Sequence, residues 1–387
     1  MNFELTQEQQ MIYEYGKNLS KTWTRDYWRE KAEKREFTLE MWQQVGEDGF
    51  LGMMVPEEHG GAGLGMTEQL LLMEGMANEG IPLLMMVVGP TMTLSALASH
   101  GSEEQKKEFL PDGCAGKRIY CFAITEPNAG TNTIKATTVA KKKPDGRFSL
   151  SGTKTFITGV DVSDYVLVVA RTTPYDQVKN KTDGFTLFLV DLKKKGIEKH
   201  PIDIAICLPE MQWTLFFDEV DLGPEDVLGE EGRGFEILFD SLNPERIIAA
   251  GMTAGIGRYA LERAVEYASE RTVFDAPIGS YQGVQHPLAM AKTEIELASL
   301  MARKAAWQFD QGLPAGEASN MAKYAAAEAG IHAVDAAVQA HGGNGFTKEY
   351  GIFDLYPIVR LTRTAPINRE IILSYIGEHV MGLPRSY

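Results

Sequence analysis

The stretch Tyr120-Cys121-Phe122-Ala123-Ile124-Thr125-Glu126-Pro127-Asn128-Ala129-Gly130-Thr131-Asn132 decides how the rest of the chain is read. Tyr120 to Ile124 has the apolar run of a short strand. Pro127 has no N–H for a sheet ladder and ends it. Asn128 to Thr131 is then a turn of small residues. Such a turn leaves backbone N–H groups free and lets a ligand come close to the main chain. Taken alone, the same residues also fit a strand that ends in a plain surface turn.

The hydrophobic period changes on both sides of this stretch. Residues 1–118 read as helical. Thr6-x-x-Gln9 starts a helix with a capping box, and Ser102-x-x-Gln105 starts another that should run to Leu110 before Pro111. Ile81 to Ala98 is apolar but interrupted by Gly89-Pro90, and reads as a buried helical pair, too short and broken for a membrane span. Residues 119–230 have a period of two, with strands expected at Phe148–Thr158, Tyr165–Ala170, Phe185–Val190 and Thr214–Val220. No helices separate them, so an antiparallel barrel or sandwich is expected. A Rossmann sheet is excluded, because no GxGxxG follows a first strand. Residues 231–387 are helical again: Phe235–Glu270 restarting near Pro244, then Gln285–Gln311, Glu317–His341 and Asn368–Met381. The fold class is therefore α+β, ordered α, β, α in three domains.

The chain has 387 residues, 44% hydrophobic, with a net charge of −15. That charge suits neither nucleic acid nor an anionic membrane surface. Three cysteines without metal or CxxC spacing fit a reducing cytosol. The N-terminus shows no secretory signal, and a cytoplasmic location is expected.

Thr125-Glu126-Pro127-Asn128-Ala129-Gly130-Thr131 resembles the flavin signature of acyl-CoA dehydrogenases, with Asn128 in place of a glycine and Thr131 in place of a serine. Ser151-Gly152-x-Lys154-x-Phe156-Ile157-Thr158 resembles that family's Gly-x-Lys-x-Trp-Ile-Thr element. Leu228-Gly229 to Gly234-Phe235 resembles the entry to its last domain. Arg271-x-x-Phe274 with Gln282, and Gln339-x-x-Gly342-Gly343, resemble segments that reach FAD across a subunit boundary. Five such segments fall in the family's order along the whole chain.

The resemblance implies FAD as cofactor, held by Phe122, Ile124, Thr125, Gly130, Thr131, Phe156, Thr158, Arg271, Phe274, Gln282, Gln339, Gly342, Gly343 and Asn368. It implies an acyl-CoA substrate, a homotetramer, and electron-transfer flavoprotein as electron acceptor, with no metal. The usual catalytic glutamate is absent: an ungapped count puts Ala365-Pro366-Ile367-Asn368 at the family's Tyr-Glu-Gly-Thr element. A second base position, found in isovaleryl-CoA-type members, corresponds to Glu245, beside Arg246. Thr131, Arg246 and Met252 are assigned to substrate. Glu245, Ile248, Met252, Gly255 and Tyr259 share one helical stripe. Read without the family, Glu245 is a first-turn glutamate that favours the helix dipole. The start Asn2-Phe3 and the loop Pro56-Glu-Glu-His-Gly-Gly61 also resemble crotonobetainyl-CoA reductase. Three readings stay open: a dehydrogenase, the reverse enoyl-CoA reductase, and a catalytically silent FAD-binding subunit. An acyl-CoA oxidase is disfavoured for want of the C-terminal extension.

Overall fold

The structure, a computed structural model, describes residues 4–385; the Asn2-Phe3 start lies outside them. The N-terminal helices are α1 (Gln7–Asn18), α2 (Arg25–Lys34), α3 (Leu39–Glu47) and α4 (Met66–Asn78). A π-helical run, Val87–Leu94, leads into α5 (Ser95–His100), and α6 spans Glu103–Cys114. Both expected capping boxes form: Thr6 and Gln9 bond reciprocally at α1, and Ser102 and Gln105 at α6.

The strands follow: β1 (Tyr120–Ala123), β2 (Val139–Lys142), β3 (Phe148–Thr158), β4 (Tyr165–Arg171), β5 (Phe185–Asp191), β6 (Ile197–Ile202), β7 (Gln212–Leu222) and β8 (Val227–Leu228). They form one eight-stranded sheet in the order β6-β7-β3-β2-β4-β5-β8, with β1 added beside β4. Most pairs are antiparallel, as expected, but β1 runs parallel to β4, and β2 meets β4 in parallel at its end. Alternation within a strand identifies buried faces, not partners, so the parallel pairs could not be read from it.

The C-terminal part comprises α7 (Gly234–Glu270), a hairpin of β9 (Thr272–Val273) and β10 (Ala276–Pro277), α8 (Gln282–Asp310), α9 (Gly316–His341), α10 (Leu355–Leu361) and α11 (Arg369–Tyr375). A π-helical turn, Ile376–Val380, completes the last helix.

Three prolines expected to stop or restart helices, Pro90, Pro111 and Pro244, sit within helical runs. Pro90 does not split a helical pair; it lies inside the π-helical run. There the hydroxyls of Thr91, Thr93 and Ser95 donate to the carbonyls five residues back, of Met86, Val88 and Pro90, at 2.9, 2.8 and 3.1 Å. Wide turns plus hydroxyl donors thus compensate for the missing N–H. α6 continues through Pro111 to Cys114, α7 does not restart at Pro244, and α8 begins three residues before the expected start with Pro287 inside it.

Two compact units arise from these elements. One contains the chain up to Trp28, Gly65–Pro82 and Arg246 onward. At its centre lies the fully buried Glu74 of α4. Its carboxylate accepts from Ser299 Oγ at 2.5 Å and Arg303 at 3.0 Å, both on α8, and lies 3.5 Å from Arg258 of α7. Gly251 and Gly255 let α7 come close to α4: a Cβ at Gly251 would stand 2.2 Å from Leu70 Cδ1, and one at Gly255 2.6 Å from Ala77 Cβ.

The other unit contains Arg29–Leu64 and Leu83–Glu245. One of its apolar clusters joins Phe109 and Leu110 of α6 to Phe122, Leu167, Leu187 and Ile237. A second fills the other side of the sheet, around Phe148, Val168, Phe188 and Phe217. Glu210, before β7, is buried, and its Oε1 accepts from Met85 N at 3.3 Å. Its Oε2 has no hydrogen-bond partner. Burial pushes its carboxyl up to about 7, against the main-chain donors that pull it down.

An acid with a raised folded pKa holds its proton where the unfolded chain has lost it. Stability therefore falls as pH rises from the ordinary value of 4.5 through about 7. Glu210→Gln should remove that slope, raising unfolding free energy at pH 8 by roughly 2–3 kcal/mol and leaving pH 4 nearly unchanged. Denaturant melts at the two pH values check this.

Candidate active site

Glu126 and Lys154 come from two of the quoted motifs, and the fold joins them. Glu126 is 4% exposed and Lys154 0%. Glu126 Oε1 accepts from Lys154 Nζ at 2.9 Å and Thr138 N at 2.9 Å; its Oε2 accepts from Thr137 N at 2.6 Å and Thr137 Oγ1 at 2.9 Å. Lys154 also donates to Ile124 O at 2.9 Å. Burial works against both charges. On Glu126 it is outweighed by the Lys154 ammonium and the surrounding donors, which hold the carboxyl down at about 2. On Lys154 burial prevails and brings the ammonium down to about 8, still charged at neutral pH. The pair fastens the end of β1 to the middle of β3, and Thr155 N donates to Thr125 O at 2.9 Å beside it.

The turn after Thr125 is closed by Glu126 N to Ala129 O and Ala129 N to Glu126 O, at 3.2 and 3.1 Å. Gly130 and Thr131 are exposed at its tip, and a Cβ on Gly130 would meet nothing within 4 Å. Ile124 and Thr125 are half-buried. Phe122 is 7% exposed and its side chain belongs to the apolar core.

Two residues past Lys154, the β3–β7 ladder slips register between Lys154 and Ile157. Phe156 sits in this bulge with φ 56°, and 59% of it is exposed. A bulky residue in left-handed backbone costs on the order of 1–3 kcal/mol and is kept where a site uses it. Bulges re-aim side chains next to sites. Here an apolar ring is displaced from the ladder and left with a free face. Thr158 is half-buried, and its Oγ1 donates to Gln212 Oε1 at 3.1 Å. An exposed turn of small residues, tied through Glu126 and Lys154 to a strand that carries an exposed aromatic ring, fits a planar, polar-edged group such as a flavin.

The second set of residues that the resemblance assigns to flavin lies in the other unit. β9 and β10 are joined by Phe274 and Asp275, both at positive φ, 50° and 66°. Two such residues make a type I′ hairpin turn, a place usually held by Asn-Gly. Phe274 at its tip is 89% exposed. Tyr281 OH closes the hairpin on Val273 O at 2.8 Å. Arg271 and Gln282 are exposed at either end, and Gln339, Gly342 and Gly343 are exposed at the end of α9. Asn368 caps α11 through its side-chain oxygen, which accepts from Ile371 N at 2.9 Å.

Glu245 is not a first-turn residue. It follows Gly234, the first residue of α7, by eleven positions in an unbroken helix. The helix-dipole reading falls, because that effect is confined to the first turn. Glu245 and Arg246 are half-buried. Further along the stripe, Ile248 and Met252 are buried, and Gly255 packs on α4. At the place of the absent glutamate, Pro366 is exposed. Its loop is tied down by Arg369 N to Arg363 O at 3.1 Å, and by the buried Lys323 donating to Ile367 O. The Glu126–Lys154 pair and the proline-bridged α7 went unread in the sequence. Thr-Glu-Pro and Gly-x-Lys carried the signal for the pair.

Glu126→Gln leaves Lys154 buried with its countercharge gone. It should destabilise the fold by about 3–5 kcal/mol at neutral pH. Because the folded pKa of Glu126 is depressed, the loss is complete above the ordinary 4.5 and disappears as pH falls through about 2. Urea unfolding of the variant at pH 7 measures it.

Comparison with known proteins agrees with this fold. Family models described as the N-terminal, middle and C-terminal domains of acyl-CoA dehydrogenase match residues 6–117, 121–220 and 232–381. The acyl-CoA dehydrogenase FadE12 of Mycobacterium tuberculosis is 46% identical over 365 residues, 94% of this chain and 93% of its own. The 3-(aryl)acrylate reductase of Clostridium sporogenes is 33% identical over 345 residues, 88% of this chain and 90% of its own. The structure of butyryl-CoA dehydrogenase from Megasphaera elsdenii superimposes with a TM-score of 0.93 at 28% identity, over 98% of this chain and 100% of that one. The chain belongs to the acyl-CoA dehydrogenase family and is a flavin-dependent oxidoreductase with FAD as its cofactor.

Proposed function

We propose that the protein catalyses α,β-dehydrogenation of an acyl-CoA thioester, with Glu245 as the base. The observation that carries this reading is the place of Glu245: a half-buried carboxylate in mid-helix, with no role at a helix end. Bound FAD supplies the acceptor for the hydride that leaves the substrate's Cβ, and with it the two-electron oxidation. Glu245 takes the α-proton, so that one proton and one hydride leave while the Cα=Cβ bond forms. Phe156 walls the flavin, and the turn at Gly130-Thr131 holds its polar edge. Thr131 is assigned to the substrate, as the resemblance also assigns Arg246 and Met252. Pro366 offers no N–H to the thioester oxygen. Polarisation must therefore come from a neighbouring main-chain N–H or from the cofactor's own hydroxyl.

Electrons pass on to electron-transfer flavoprotein in this reading. The reverse direction, reduction of an enoyl thioester, is the second reading. The similarity to the 3-(aryl)acrylate reductase favours it as the alternative. Assembly as a homotetramer fits two exposed features. One is Phe274 on its left-handed turn. The other is a stripe on α8 formed by Met290, Leu297, Leu300 and Trp307, all exposed at helical spacing. An apolar stripe of this kind marks an association surface.

Glu245→Gln keeps size and removes the ability to take a proton. Stopped-flow bleaching of the flavin by a set of acyl-CoAs should slow by at least roughly 10²-fold, with flavin still bound. Bleaching at the wild-type rate sinks the assignment. Adding Pro366→Glu should recover part of the rate if the loop keeps the family's register. A wild-type protein whose flavin no acyl-CoA reduces would favour the silent-subunit reading.

A further inference from the structure

A cavity of about 200 Å³ lies between the end of α2 and the connection from β6 to β7, residues 203–211. None of the residues assigned above to flavin or substrate lines it. Ile202, Ile204, Ile206 and Leu208 form apolar walls. The main-chain N–H groups of Ile204, Ala205, Ile206 and Leu208 have no hydrogen-bond partner among the described residues. A half-exposed stretch with so few bonds of its own belongs to the least stable part of a fold, from which binding loops are drawn. It is fastened at its two ends. Asp203 pairs with Arg35, which stands just past α2 in left-handed backbone at φ 56°. At the other end, Gly159 N donates to Met211 O at 2.9 Å.

Among the described residues, the lining carries two carboxylates, Glu33 and Glu210, and one cation, Arg35. The cation is already paired with Asp203, so the cavity keeps a negative excess. Glu210 is 1% exposed, and its Oε2 has no hydrogen-bond partner, while its Oε1 accepts from Met85 N. A buried oxygen in that state lacks the donor that would offset its desolvation. Asp161 adds its charge to the burial that disfavours ionisation of Glu210, against the main-chain donors of Met85, Glu210 and Leu84. A cationic donor in the cavity would counter both effects at once. A metal ion does not suit it: no group of three His, Cys, Asp or Glu side chains that could hold one occurs among the described residues. The volume is below the roughly 300–1,000 Å³ of sites for drug-sized ligands, so the occupant is small. The walls suit methylene groups, and the acids suit charged N–H donors.

We propose that this cavity binds a small primary alkylammonium, with its carbon chain against Ile202, Ile204 and Ile206 and its ammonium donating to Glu210, and with Glu33 adding to the attraction. The site is separate from the proposed dehydrogenation and does not depend on it.

The test is a calorimetric titration of the flavin-loaded protein with n-butylammonium chloride at constant ionic strength. Saturable binding is expected at pH 8, where Glu210 is ionised. Binding should be weaker by about tenfold or more at pH 5, where its carboxyl, pushed up to about 7, holds a proton. Glu210→Gln, expected to be the more stable protein at pH 8, should bind about tenfold or more weakly there and lose the difference between the two pH values. n-Butanol, of the same length without the charge, should bind far more weakly than n-butylammonium. The proposal is overturned if Glu210→Gln binds n-butylammonium as tightly as wild type does, or if wild type shows no saturable binding at pH 8. Binding of n-butanol or n-butyrate as tight as that of n-butylammonium also overturns it, since the cavity would then recognise an apolar chain or an anion.

Discussion

The buried pair of Glu126 and Lys154 is the constraint on which the candidate site depends. It stands where the first strand ends and the chain leaves it for the turn that leads to β2. A lone buried charge there would cost several kcal/mol. Each charge is offset by the other and by a set of main-chain donors and acceptors, which also satisfies backbone groups a turn would leave open. The result is a fixed spacing between the small-residue turn and the bulge of β3 that pushes Phe156 outward. A loop alone would not hold that spacing, and a flat cofactor needs it.

The same logic explains which parts of the sequence could be read. Thr-Glu-Pro followed by small residues, and Gly-x-Lys-x-Phe-Ile-Thr, were both legible as segments that resemble the family's flavin elements. That their Glu and Lys meet was not legible, because pairing across 28 residues depends on the register and crossing of strands. Five strands of the middle region were found with boundaries shifted by up to two residues, while β2, β6 and β8 went unread. The parallel pairing of β1 with β4 was missed, since side-chain alternation is blind to partner and direction.

The helices failed in one consistent way. Proline was read as punctuation at Gly89-Pro90, Pro111 and Pro244, whereas each lies inside a helical run. Packing overrides the local penalty, and in the π-helical run three hydroxyls supply the bonds that the backbone lacks. This correction has a functional consequence. With α7 unbroken, Glu245 loses its helix-end explanation, and the proposed base rests on that placement. The absence of the glutamate at Pro366 was legible from a count of residues, and the exposed Phe274 became informative only with its left-handed backbone in view.

The central claim is that the turn at Thr125–Thr131 and the bulge at Phe156 form one face of an FAD site, and that Arg271, Phe274, Gln339 and Gly342-Gly343 complete it from another subunit. The most direct measurement is an experimental structure of the purified assembly with its flavin. The account predicts the isoalloxazine ring against Phe156 and the main chain at Thr158, with the adenosine diphosphate part between two copies of the chain. A colourless protein, or a flavin held by one chain away from Phe156, would contradict it.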